Sequence, residues 1–263
     1  MNTAYTLITG ATSGIGLALA HEFAQRGDAL LLVARRAGAL AETAASLRAR
    51  HGVEVLERVC DLADAAAVTA LVGGIERDGL HIAKLINNAG FATAGAFVDQ
   101  SWHSERDLLM VNVLSLAQLC HAIGRQMAAV GSGHILNVSS ITGFMPGPWM
   151  SNYAASKSYV LIFSESLREE LGPLGVKVSV LCPGTTRSPF FAKAKIAIEK
   201  AAPDRLIMSP EEVARITVSA MDRNPAIIIP KFRNKLLATA PRLGPRWLLR
   251  KVVAALHKAV VAK

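Results

Sequence analysis

Tyr153 and Lys157 stand four residues apart in the stretch Ser151-Asn-Tyr-Ala-Ala-Ser-Lys157. On a helix that spacing puts both side chains on one face, about one turn from each other. A phenol is a poor proton donor or acceptor at neutral pH, with an unperturbed pKa near ~10. An ammonium a few ångströms away favours the phenolate and lowers that pKa, which turns the tyrosine into a general acid/base. The same pair also arises by chance on solvated helix faces, so the residues around it decide what it means.

The N-terminus supplies the second part. Tyr5-Thr-Leu-Ile-Thr9 is a short β-prone run, followed by Gly10-Ala-Thr-Ser-Gly14-Ile-Gly16 and then an apolar helical pattern at Leu17, Leu19, Ala20 and Phe23. Strand, glycine turn and helix in that order present backbone N–H groups at a helix start to a pyrophosphate. Gly10 allows the tight turn, Gly14 close approach of phosphate, and Gly16 close helix–strand packing. The spacing Gly-x-x-x-Gly-x-Gly differs from the commoner Gly-x-Gly-x-x-Gly fingerprint, and a plain strand–helix connection would read similarly.

Together these residues resemble the short-chain dehydrogenase/reductase family, in its form of about 250 residues. Thr9-Gly10-x-x-x-Gly14-x-Gly16 looks like its cofactor turn, and Asn87-Asn88-Ala89-Gly90 like its motif after the fourth strand. Asn112 in Val111-Asn-Val113 matches the family's catalytic asparagine. Ser140, thirteen residues before Tyr153, matches its catalytic serine better than Ser139 does. Pro183-Gly184 matches the turn after the sixth strand. The match runs in order from about residue 3 to 190. Ser188 stands where the family often has a threonine, and Ala83 replaces an acidic residue common before the asparagine motif.

The resemblance implies a doubly wound Rossmann-type α/β domain and a catalytic set of Asn112, Ser140, Tyr153 and Lys157. It implies dinucleotide contacts from Gly10, Thr12, Ser13, Gly14, Ile15, Gly16, Asp61, Leu62, Asn88, Ala89, Gly90, Tyr153, Lys157, Pro183, Gly184, Thr186 and Ser188. Asp61 equally suits a helix N-cap. Hydride would pass between nicotinamide and a carbonyl or carbinol carbon, with Tyr153 exchanging the proton. Lys157 would hold the ribose hydroxyls, Ser140 the substrate oxygen, and Asn112 a water leading to solvent. A homodimer or homotetramer is the family's usual assembly.

Cofactor choice reads from the end of the second strand. Leu31-Leu-Val-Ala34-Arg35-Arg36 places a basic pair where a carboxylate would bind the ribose 2′-hydroxyl of NAD(H). Ala34 removes the charge that would repel a 2′-phosphate, and Arg35 offers a planar fork suited to one. NADP(H) is therefore favoured over NAD(H), with Arg35 and Arg36 added to the cofactor set; a solvated arginine pair opening a helix is the bland reading.

Around the expected pocket the loops are apolar: Phe91 and Phe97, then Phe144, Met145 and Trp149, then Phe190 and Phe191. Residues 188–210 read as a lid that excludes water. A hydrophobic ketone, aldehyde or alcohol fits such a lining, although Lys193, Lys195 and Lys200 on the lid also suit an acyl-carrier substrate.

Composition is consistent with this. Half of the 263 residues are hydrophobic, as expected of a parallel sheet buried on both faces. Cys60, Cys120 and Cys182 are scattered, with no Cys-x-x-Cys and no His cluster at metal spacing, which argues against a disulfide scaffold or zinc site. Strand-like runs at Ala29–Val33, Val53–Val59, Lys84–Asn87, His134–Val138, Lys177–Leu181 and Ala226–Ile229 alternate with helical stretches, the pattern of a parallel sheet. The early first strand leaves no room for a leader, so a cytoplasmic location is expected.

Residues 225–263 hold nine Lys/Arg and no Asp/Glu, so they carry the whole net charge of +9. After Pro241 and Pro245 a helix is expected, with Leu248, Leu249, Val252, Val253, Leu256 and Val260 on one side. Arg246, Arg250, Lys251, His257 and Lys258 then lie on the other. The chain thus divides into a catalytic domain, 1–230, and a basic extension, 231–263. The extension suits an anionic membrane surface, such as the inner face of the cell membrane, or docking on the body or on a second subunit. Sparse aromatic interleaving, Phe232 and Trp247 only, argues against nucleic acid. A different class, a non-catalytic NADP(H) sensor or scaffold tethered through this tail, would not need the proton-transfer residues.

Overall fold

The computed structural model describes residues 3–194, 196, 203–242 and 244–260. Seven strands form one sheet: β1 (Ala4–Thr9), β2 (Ala29–Ala34), β3 (Val55–Val59), β4 (His81–Asn87), β5 (Gly133–Val138), β6 (Val176–Leu181) and β7 (Ile227–Ile228). Their order is β3-β2-β1-β4-β5-β6-β7, and all six pairings are parallel. Strand order reverses between β1 and β4, and a doubly wound sheet opens its ligand crevice at that reversal.

Helices cover both faces: α1 (Gly14–Gln25), α2 (Ala37–His51), α3 (Ala65–Arg77), α4 (Trp102–Leu109), α5 (Ser115–Val130), α6 (Ser151–Leu171), α7 (Pro189–Lys193), α8 (Pro210–Met221), α9 (Phe232–Thr239) and α10 (Arg246–Val260). Strand side chains alternate between two apolar layers. Ile8, Leu30, Leu32, Ile86 and Leu136 face one, with Leu19 and Val213 of the helices. Leu7, Leu31, Val33, Leu85 and Ile135 face the other, with Leu119, Ile123 and Val160. Burial on both sides explains why the strands read as continuous Leu/Ile/Val runs.

Strand boundaries moved where polar residues open a strand. β4 begins at His81 rather than Lys84, and its pairing with β1 slips between Tyr5 and Thr6, so that Ala83 falls at the irregularity. β7 is two residues long, shorter than the Ala226–Ile229 run suggested, because only Ile227 and Ile228 keep register with β6.

Helix starts follow local chemistry. Ser209 accepts the N–H of Glu212 ahead of Pro210 at the first turn of α8. Asp64 accepts the N–H groups of Ala66 and Ala67 at the start of α3. It is Asp64, and not Asp61, that caps this helix; Asp61 instead makes a local turn through the Ala63 N–H at 3.0 Å. Between α4 and α5 the helix widens to a π turn over Met110–Leu114. Such widened turns recur at functional sites because they re-aim a side chain.

Asp64→Ala should remove the cap at a cost of about 1 kcal/mol, lowering the thermal midpoint by about 2–4 °C. A differential scanning experiment against Asp61→Ala checks this; loss of stability only in the latter would reverse the assignment.

Candidate active site

The carboxyl ends of β1, β2, β4, β5 and β6 open into one cleft of about 1720 Å³. That exceeds the ~300–1,000 Å³ of an ordinary small-ligand pocket and suits a long dinucleotide plus a second molecule.

One wall is the turn after β1. Gly10 has φ +66° and Gly14 φ +55°, backbone that favours glycine. A Cβ on Gly16 would lie 2.3 Å from Asn88 Nδ2 and 2.4 Å from the Gly10 carbonyl, so only glycine lets α1 start this close to β4. Asn88 closes the turn by donating to the carbonyls of Thr9 at 2.9 Å and Gly10 at 3.3 Å. The Thr9 hydroxyl accepts from the N–H groups of Asn88 and Ala89, each at 3.0 Å. Thr9 thus welds the β1 and β4 turns together, a role its place at a strand end did not reveal. Ser13, at the N-cap of α1, makes no side-chain cap bond, and the first turn of α1 carries no acidic residue. An anion can therefore meet the helix N-terminus without competition.

At the rim, Arg35 and Arg36 are exposed and line the cleft. Among the described residues neither is ion-paired to a carboxylate. Asp61, Leu62, Ala89, Gly90, Pro183, Gly184, Thr186 and Ser188 also line it. Ser188 closes over the glycine turn, its Cβ 3.2 Å from where a Gly14 Cβ would sit.

The floor comes from α6 and β5. Tyr153, Ser156, Lys157, Val160 and Ser164 are buried along one face of α6, so the four-residue spacing does put the phenol and the amine side by side. Lys157 Nζ donates to the Val138 carbonyl at 2.9 Å and lies 5.8 Å from the centroid of the Tyr153 ring. The two adjacent serines part company here. Ser139 Oγ donates to the Lys157 carbonyl at 2.6 Å and ties α6 to β5. Ser140 Oγ faces Thr142 and Tyr153.

Burial pushes the Tyr153 phenol up to about 12, with the Ser140 hydroxyl pulling it the other way. Burial also pushes the Lys157 ammonium down to about 8. The phenol thus moves opposite to the acidification expected from the four-residue spacing. Desolvation disfavours both charged forms, and the amine is turned to a carbonyl instead.

Asn112 sits in the π turn, one layer behind the cleft wall. Its Nδ2 donates to the Phe91 carbonyl at 3.0 Å and to Ser156 Oγ at 3.1 Å, while Oδ1 accepts the Phe91 N–H at 3.1 Å. Both amide hydrogens are used, leaving one lone pair of Oδ1. The same Oδ1 and Lys157 Nζ flank Gly90, at 3.0 and 3.4 Å from its would-be Cβ. Asn112 thus fixes the loop that Gly90 and Phe91 present to the cleft.

The apolar end is built by α7 and the loop after β4. Phe190 lies 5.6 Å from the Tyr153 ring and 5.4 Å from Phe191, and Ala92, Leu108 and Ile196 complete the cluster. Phe91, Met145, Phe190 and Phe191 line the cleft as expected. Three expected aromatics do not. Phe144 packs into the sheet-face core, Phe97 is half exposed on a 3-10 turn, and Trp149 takes φ +66° with its indole Nε1 buried and unpartnered. Of the lid, Lys195 and Lys200 and the Lys193 side chain lie outside the described residues.

Docking of the tail on the body was among the expected alternatives, but its share in the cleft was not. Leu236 and Leu237 of α9, with Leu256 and His257 of α10, line the cleft. His257 Nδ1 bonds the Pro148 carbonyl at 2.9 Å, so it belongs to the inward row and not to the basic face. It stands four residues after the buried Val253, a spacing that would have revealed it.

Residues 4–198 match the family profile of the short chain dehydrogenases. The chain is 32% identical over 235 residues to the probable oxidoreductase EphD of Mycobacterium tuberculosis, covering 84% of this chain but 40% of that protein. A short-chain dehydrogenase from Sphingobium yanoikuyae in complex with NADPH is 34% identical, covers 98% of this chain and 96% of its own, and superposes with a TM-score of 0.83. The bulky-bulky ketone specific alcohol dehydrogenase from Comamonas testosteroni is 33% identical, covers 92% and 93%, and gives 0.78.

The folded-state lysine, held near 8 against an ordinary 10.5, gives a pH signature. Below pH 8 both folded and unfolded chains carry its proton, and burial of the charge costs stability. Between those values only the unfolded chain carries it, so stability rises with pH. Urea midpoints measured across that window should climb in the wild type relative to Lys157→Met; parallel curves would contradict the assignment.

Proposed function

This chain belongs to the short-chain dehydrogenase family of nicotinamide-dependent oxidoreductases, and we propose that it is an NADP(H)-dependent enzyme interconverting apolar ketones or aldehydes with alcohols. The observation that carries this reading is the convergence of Tyr153, Ser140 and Lys157 on the floor of a dinucleotide-sized cleft, beneath an apolar lid. A nicotinamide dinucleotide, when bound, supplies or accepts the hydride.

The residues fit such a ligand. The cradle around Gly10 and Gly16 has no room for a Cβ, Ser13 leaves the α1 N-terminus uncapped, and Lys157 Nζ spends one donor of three on Val138. Tyr153 Oη donates the proton to the substrate oxygen in reduction and takes it back in oxidation. Ser140 Oγ donates to the same oxygen as charge develops there, in a site that excludes water. Lys157 would hold ribose hydroxyls with its remaining donors and, so partnered, would keep its charge beside the phenol. Asn112 fixes the Gly90–Phe91 loop beside Lys157.

Arg35 supports NADP(H): it is exposed at the cleft rim and, among the described residues, is paired with no carboxylate, with Ala34 before it in place of an acid. Phe91, Phe190 and Phe191 support an apolar substrate, since these rings offer a charged group nothing in place of the water it loses. A pure dinucleotide sensor would not need a phenol buried against the lid, which weighs against that alternative.

NADPH consumption measured over a panel of aliphatic, aromatic and steroid-like ketones tests the proposal. Tyr153→Phe should lower kcat by roughly 10²–10⁴-fold with NADPH affinity nearly unchanged; wild-type turnover in that variant would remove the assignment. Arg35→Ala should weaken NADPH by roughly 10–100-fold and leave NADH unaffected, the loss of a charge-assisted phosphate contact. Equal weakening of both would move the cofactor choice elsewhere.

A further inference from the structure

We propose that α9 and α10 form a docking surface for an anionic lipid bilayer, which sets the mouth of the cleft against the headgroups. The proposal starts from a mismatch on α10. Its apolar side is wider than the body it packs on. Leu249, Val253 and His257 form the inward row, with Val253 buried and His257 bonded to Pro148. The neighbouring row, Leu248, Val252 and Leu256, is left 46–61% exposed. On α9, Phe232 and Leu236 stand one turn apart and are likewise exposed. Leu236 and Leu256 also line the cleft, so the two unpartnered rows meet at its mouth.

Charge selects the occupant. Residues 225–263 carry nine cations and no anion, while the rest of the chain is neutral. Arg246, Arg250 and Lys251 of the same helix are exposed, and Lys251 Nζ sits over the Trp247 ring at 5.8 Å. An amphipathic helix with this arrangement lies in a membrane interface, apolar row down and cations at the phosphates. A second copy of the chain fits poorly: a two-fold contact matches a patch with itself and would set cations against cations. A nucleic-acid backbone offers phosphates but no apolar phase for Leu248, Val252 and Leu256. An anionic bilayer offers both.

The test uses the full chain with two vesicle preparations, phosphatidylcholine alone and phosphatidylcholine mixed with phosphatidylglycerol. The protein should co-sediment with the mixed vesicles and stay in the supernatant with the neutral ones. Neutralising Arg246, Arg250 and Lys251 to alanine should lower partitioning by on the order of 100-fold, from the contribution of each basic residue near the surface. Leu248→Ser with Val252→Ser should also lower it, and all variants should keep wild-type thermal midpoints and NADPH affinity, since none of these side chains lines the cleft. Failure to pellet with mixed vesicles, or unchanged pelleting in the triple variant, overturns the proposal. So does a dimer in sedimentation velocity that the serine variants dissolve without any vesicle binding. Because the readout is partitioning, catalytic failure on any substrate leaves this test intact.

Discussion

Desolvation of one lysine organises this site. Lys157 reaches its position because the apolar face of α6 must pack on the sheet, and that packing carries the amine below the surface with Tyr153 one turn before it. The cost is moderated by the Val138 carbonyl, and Ser139 in turn anchors the backbone of Lys157 to β5. A charge in such a place is unstable without further partners. Burial accordingly keeps the phenol neutral and moves the amine down to about 8, so that the lysine still carries its charge at neutral pH. Under the proposed function, a ligand that brings hydroxyls to the lysine couples binding to proton transfer through that burial.

The surrounding architecture exists to keep that burial compatible with an open cleft. Thr9 and Asn88 lock the β1 and β4 turns to each other at the strand-order reversal, and Gly16 permits α1 to come in against them. Asn112, placed in the π turn, ties down the backbone of Phe91 beside the amine. Across the cleft, Asn234 of α9 packs on Gly184, where a Cβ would come within 2.5 Å of its Oδ1. The tail is thereby joined to the same turn that the sixth strand feeds.

Much of this was legible in the chain. The glycine turn, the asparagine motif and the Tyr–Lys pair are local patterns whose geometry follows from spacing, and the parallel sheet follows from Leu/Ile/Val runs between helices. What was not legible is tertiary. Phe144 and Trp149 sit in a loop of apolar residues, and sequence alone could not tell which would turn toward the cleft and which toward the core. The direction of the Tyr153 shift failed for a related reason: spacing gives proximity, but burial depth decides the charge. Asp61 and Asp64 both suit a cap, and only the path of the chain selected the second. His257 was assigned to the basic face, although its spacing from Val253 marks the inner row.

The coupling of burial to proton transfer can be read directly from the three tyrosines of the chain. Their ultraviolet ionisation is titrated with and without saturating NADP+, bound cofactor being verified independently. With cofactor, one phenol should ionise well below the ordinary value near ~10, and the low-pH step should vanish in Tyr153→Phe. Superimposable titrations in the bound and free protein would contradict the central role given to Lys157 and Tyr153.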